Sequence, residues 1–198
     1  MALVIRRFAP AKNGKPVFHF APEEAIADIL IETYGENYFP ADYVPEEYSW
    51  SKVPVTKVDL SRPLEYLPRN GLNGLVHSHV LEHIPGSVER VICEMNEALV
   101  IGGFHLFQVP IERGWYREDM NPSMPREQRE AMFLQFDHLR VFGKEDFEDR
   151  CLRLFKDFER INLKEKISDG ELAAAAVPPS SLTTYNGHTA FLFIKRAS

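Results

Sequence analysis

The sequence predicts an α/β protein whose sheet is mostly parallel and covered by helices on both faces. Short apolar runs alternate with stretches of helical periodicity as far as residue 109, the pattern of repeated strand–helix–strand units. Two of those runs, Gly74 to Ser78 and Phe104 to Val109, are largely apolar and bounded by turn residues, as strands buried on both faces are. Polar residues then crowd the stretch Asn73-Gly-Leu-Val-His-Ser-His-Val-Leu-Glu-His-Ile-Pro85. They fall at the carboxyl end of a strand, which is where open α/β sheets bind ligands.

Each element has a local reason. Residues 1–15 read as a lead-in ending in the turn signal Asn13-Gly14-Lys15-Pro16. Val17 to Phe20 is a short apolar strand. A helix opens at Ala21-Pro22-Glu23-Glu24, with its proline early and its acids in the first turn, where the dipole favours them. Ile26, Ile29, Leu30 and Thr33 carry one face of that helix, and Gly35 ends it. Tyr38 to Ala41 is a second strand closed by Asp42, and Val55 to Val58 a third closed by Asp59. Residues 43–53 read as a loop or degenerate helix, and Pro63 to Gly71 as a loop with one helical turn. Ser87 is an N-cap for a helix with the face Val88, Val91, Ile92, Met95 and Leu99. Gly102 suits a left-handed C-terminal cap of that helix. The strand from Phe104 stops at Pro110.

Residues 110–143 break the alternation. They hold loops, a short helix over Arg126 to Phe133, and the compact polar and aromatic motif Phe136-Asp-His-Leu-Arg-Val-Phe-Gly143. Phe147, Cys151, Leu154 and Phe155 then mark an amphipathic helix. Phe158 to Leu163 and Ala190 to Lys195 are closing strands on either side of a small, proline-rich loop, Ala173 to Ser181.

A chain of 198 residues, 44% hydrophobic and 26% charged, is expected to fold as a single domain over residues 1–198. Its net charge is −6 with no long Lys/Arg cluster, so nucleic acid is not an expected partner. No run is long enough to span a bilayer, and the short N-terminal apolar run gives way at once to Arg6-Arg7. A cytoplasmic protein with no membrane partner is expected, its two cysteines Cys93 and Cys151 reduced and buried on helix faces.

Several motifs carry a family resemblance. His79-Val-Leu-Glu-His83, a helix, Gly102-Gly103, a strand and Val109-Pro110 together resemble class I S-adenosylmethionine-dependent methyltransferases. The run His19-Phe-Ala-Pro-Glu23, with Asp137-His138-Leu139-Arg140-Val141-Phe142-Gly143, is similar to a bacterial methyltransferase-like subset often found near glycan-related genes. The resemblance spans about residues 17 to 165. It implies a three-layer Rossmann-like fold with a seven-stranded sheet and an antiparallel last strand. It also implies S-adenosylmethionine as cofactor: Ala21, Pro22 and Glu23 in the first loop wrap its methionine part, Asp42 holds the ribose hydroxyls, and Asp59 and Leu60 lie beside the adenine. Ser78 and His79 complete the cofactor site. Most members carry Gly-x-Gly-x-Gly in the first loop, whereas Phe20 to Ala25 contains no glycine. On the acceptor side, His79 and His138 are the expected bases, because imidazole titrates near neutral pH. Arg140 is expected to hold the acceptor with its fork of donors. The acceptor would be a small molecule or a glycan.

Other functions compete with this one. His77, His79, Glu82 and His83 superficially match the His-x-His-x-Asp-His signature of metallo-β-lactamase-like hydrolases, but one extra residue spoils the spacing, and no metal ligand is assigned. A non-catalytic cofactor- or partner-binding module on the same fold is a third reading, since fold does not fix function. A nicotinamide enzyme is disfavoured, because no Gly-x-Gly-x-x-Gly follows the first strand.

Overall fold

The computed structural model describes residues 1–197. β1 (Val17–Phe20), β2 (Tyr38–Asp42), β3 (Thr56–Lys57), β4 (Leu72–Ser78) and β5 (Leu99–Gln108) run parallel. Three short strands, β6 (Ile111–Glu112), β7 (Arg117–Glu118) and β8 (Arg140–Gly143), form a separate small sheet ordered β6-β8-β7. β9 (Phe158–Arg160) and β10 (Phe191–Lys195) rejoin the main sheet, with β10 antiparallel to both β5 and β9. The main sheet is seven-stranded, in the order β3-β2-β1-β4-β5-β10-β9.

Helices cover both faces. α1 (Ala2–Phe8) and α2 (Glu24–Tyr34) lie on one side, and α3 (Pro63–Tyr66) and α4 (Val88–Ala98) on the other. The pleat divides the core between them, because successive strand residues point to opposite faces. Leu75, Phe107, Phe191 and Phe193 pack with α4, while Val76, Leu106 and Leu192 pack with α1 and α2. On α4, Val88, Val91, Ile92 and Met95 are buried, each contributing about 1.5–3 kcal/mol, an upper figure because unfolded chains already bury some surface. Ser87 caps this helix by accepting the Arg90 N–H at 3.2 Å.

Four expectations are corrected. The lead-in is helix α1, which exists because Val4 and Ile5 dock against α2; so short a helix needs tertiary support. Gly102 does not cap α4: Leu99 is already extended, and Gly102 (φ 79°) lies within β5 where the register with β4 shifts between Leu72 and Gly74, the work of a β-bulge. The helix expected from Phe147 is split into a short helix, Phe147–Arg150, and a 3-10 turn, Leu152–Phe155. Cys93 is exposed, and only Cys151 is buried; position 93 falls off the stripe set by residues 88, 91, 92 and 95.

Candidate active site

The strand order turns back on itself between β1 and β4, so the helices that follow them diverge and leave a crevice at the carboxyl ends. A cleft of about 500 Å³ opens there, lined by Ala21, Asp42, Asp59, Leu60, His79 and His83 among others. That volume is within the range of small-ligand sites. A larger cavity of about 610 Å³ lies beside Arg160, Lys164 and Tyr185, away from these strand ends, and the chemistry described below is not there.

The backbone of the cleft is strained at two points. Ala21, just past β1, has φ 47°, and His79, just past β4, has φ 53°. Both are left-handed conformations that cost a residue with a Cβ about 1–2 kcal/mol, and such strain gathers at ligand sites. The first loop thus makes a left-handed turn without glycine.

The two acids are held differently. Asp42 accepts the Val44 N–H and the Tyr48 hydroxyl, each at 2.8 Å. A carboxylate offers about four acceptor positions, so two remain for a ligand. Burial, with the hydrogen bond to Asp42, pushes the Tyr48 hydroxyl well above its ordinary range and keeps it protonated as a donor. Tyr48 sits in the stretch read as loop, and no sequence signal marked its role. Asp59 accepts the Ser61 N–H at 2.8 Å and faces Arg62 at 3.4 Å. Partial burial works to raise its pKa, but the Ser61 and Arg62 interactions outweigh that and leave it below the usual carboxylate value.

Pro22 is buried, and Glu23 turns back to His19, 3.1 Å from its Nε2. Ser78 is half-buried at the end of β4. None of these three joins the cleft residues named above. His19 itself is fully buried and also bonded to the Tyr38 hydroxyl at 3.1 Å. His77 is likewise buried in the sheet, its Nε2 2.9 Å from Nε2 of His105. His77, His79 and His83 therefore do not form the hydrolase-like cluster.

Behind the cleft wall, β8 grips the loop after β4. Arg140 is fully buried, and its guanidinium donates to the carbonyls of Leu81, Ile84 and Gly86 at 2.6–2.7 Å. The expectation that it meets an acceptor is corrected: its donors are spent on this loop, and it is absent from the cleft lining. His138 is 2% exposed and hydrogen-bonded through Nδ1 to the Phe133 carbonyl at 2.8 Å; burial lowers its pKa. It too is withdrawn from the cleft. His79 does reach it. Its Nδ1 lies 3.3 Å from Oε1 of the fully buried Glu82, and that carboxylate raises the His79 pKa against the opposing effect of burial.

A sheet in this order, with the cleft at its switch point, defines the class I S-adenosylmethionine-dependent methyltransferase fold, α/β and Rossmann-like. Solved structures agree. An S-adenosylmethionine-dependent methyltransferase from Archaeoglobus fulgidus superposes with a TM-score of 0.58 at 14% identity, over 99% of this chain and 92% of that one. The YcgJ protein of Bacillus subtilis gives 0.57 at 10% identity over 100% and 99%. Phosphoethanolamine N-methyltransferase 2 of Haemonchus contortus, solved with S-adenosylmethionine, gives 0.52 at 15% identity over 98% of this chain and 51% of that one. No family model matches the chain, and no curated protein matches it. Among the described residues no helix is long and apolar enough to cross a membrane.

Proposed function

We propose that the protein is an S-adenosylmethionine-dependent methyltransferase acting on a small-molecule or glycan acceptor. The supporting observation is the switch-point cleft, whose lining includes Asp42 and Asp59 from adjacent strand ends together with His79 and Ala21 of the strained first loop. The residues suit the cofactor. Asp42 keeps acceptor positions for ribose hydroxyls, Asp59 is held ionised to accept from an exocyclic amine, and the Ala21 turn brings backbone close to the methionine part. The cofactor supplies an electrophilic methyl group on sulfur. Catalysis by the chain is then positioning plus proton removal. His79 is the base, exposed to the cleft with the Glu82 carboxylate 3.3 Å from its Nδ1. Arg140 positions the loop that carries it. The resemblance to the glycan-associated subset supports the acceptor class, and the free thiols Cys93 and Cys151 suit a cytoplasmic setting.

The glycine-free first loop supports a second reading, a binding module without turnover. Calorimetry with S-adenosylmethionine and S-adenosylhomocysteine tests the cofactor: one-to-one binding is expected, and a folded protein that binds neither refutes both readings. Release of S-adenosylhomocysteine in the presence of an acceptor panel then separates enzyme from module.

A further inference from the structure

Glu82, His83 and His138 meet behind the cleft wall. One carboxylate oxygen of Glu82 and one ring nitrogen of each histidine all lie within 4.8 Å of one another. The residues come from two segments that are tied together: the Leu139 N–H donates to the Glu82 carbonyl at 2.9 Å, and Arg140 holds the carbonyls on either side.

Three observations distinguish this cluster from ordinary packing. First, the Glu82 side chain is fully buried, and neither of its oxygens accepts a hydrogen bond, an expensive condition for a carboxylate. Among the described residues no lysine or arginine lies within ion-pair reach of it. Its one neighbour at that range is His79, at 3.3 Å. Secondly, Nδ1 of His138 is committed to the Phe133 carbonyl at 2.8 Å. A carbonyl only accepts, so Nδ1 carries the proton and Nε2 keeps a bare lone pair. Thirdly, Nδ1 of His83 faces Oδ2 of Asp137 at 3.4 Å, which disposes that ring the same way. Outer carbonyl and carboxylate partners of this kind orient the histidines of metal centres.

We propose that Glu82, His83 and His138 bind one divalent transition-metal ion of the zinc class. Two imidazole nitrogens and one carboxylate oxygen are a donor set that zinc accepts with a further position open, and zinc stands high in the affinity order of first-row ions for such donors. Ligand atoms about 2.1 Å from a tetrahedral ion are about 3.4 Å apart, so closing the set from 4.8 Å takes side-chain adjustment rather than a new backbone path. The set differs from the hydrolase-like one: His77 is elsewhere in the sheet, and His138 comes from the far side of the sequence. His83 also lines the cleft, which puts the site beside it. The use of the ion, though not its binding, rests on the methyl-transfer reading: an ion held there would supply a Lewis acid able to lower the pKa of an acceptor hydroxyl.

The test begins with protein stripped by a chelator and dialysed, then titrated with Zn(II) by calorimetry and with Co(II) by visible absorption. One Zn(II) per chain is expected, with Co(II) giving d–d bands of a site that includes imidazole nitrogen. Glu82→Gln, His83→Asn and His138→Gln should each weaken Zn(II) binding by at least about tenfold, while His188→Ala, an exposed histidine elsewhere, should not. His83 is only half-buried, so its variant remains informative if the two buried ones fail to fold. Folded protein that takes up no Zn(II), or uptake unchanged in His83→Asn, overturns the site. S-adenosylmethionine binding by the same stripped protein is the separate readout: cofactor binding without zinc uptake removes the metal and leaves the methyltransferase reading standing, and the reverse result removes the other.

Discussion

Asp42 and Arg140 show two uses of a charged side chain at one site. Asp42 keeps acceptor capacity facing the cleft, and Asp42→Ala is expected to weaken S-adenosylmethionine binding by about 1–3 kcal/mol, the cost of leaving polar partners unpaired. Calorimetry on the folded variant measures it, and unchanged affinity removes Asp42 from the site. Arg140 is spent internally: its planar fork holds three loop carbonyls at once. Arg140→Met should destabilise the fold by about 3–5 kcal/mol, the scale of removing one partner from a buried charged network. Lysine should recover little of it, because a single ammonium cannot reproduce the fork. Urea denaturation reads both variants, and an Arg140→Lys protein as stable as the parent contradicts the clamp.

Among the elements, β4 and β5 form the centre of the sheet, and their pairing leaves no room for a side chain at Gly74. A Cβ built there would come within 2.3 Å of the Phe104 ring, and that ring is itself fully buried. Gly74→Ala is expected to cost about 1–3 kcal/mol of overpacking, and combining it with Phe104→Leu should cost less than the sum, since residues in contact couple. Additive losses in denaturant midpoint contradict this account of the glycine. On α4 the exposed side gives a cleaner test. Cys93 should react with a thiol reagent in the native protein and Cys151 only on unfolding, although partial desolvation and the nearby Glu89 hold the Cys93 thiol above its ordinary pKa and slow it.

Across the whole molecule, the sheet buries a pair of neutral histidines. The His105 Nδ1 lies 2.8 Å from Asn96 Oδ1 and its Nε2 meets His77 Nε2. Burial pushes His105 down to about 3 and His77 well below its ordinary value. The unfolded chain takes up these protons near pH 6.5 while the folded chain refuses them, so the unfolded state binds more protons across that interval and stability falls as pH falls. The loss should begin near pH 6.5 and continue toward about pH 3. His77→Phe, which can keep the stacking on Phe107 (5.5 Å between centroids), should show a shallower decline of urea midpoint between pH 7 and pH 5 than the parent. An equal slope in the two proteins would exclude the histidine pair as its source.

The alternating runs from Val17 to Val109, the Ser87 cap and the α4 stripe were legible in the sequence because each depends on neighbours within a few residues. So were the strand ends that bring Ala21, Asp42, Asp59 and His79 to one edge, since a parallel sheet aligns its carboxyl termini whatever the loops do. The fate of Arg140, His138 and Glu82 was not legible. Nothing local distinguishes an arginine that reaches a ligand from one that holds three carbonyls more than fifty residues away in sequence. Helix α1, the bulge at Gly102 and the tie between β8 and the loop after β4 have the same origin: long-range packing chose among local conformations that the sequence left nearly equal in energy.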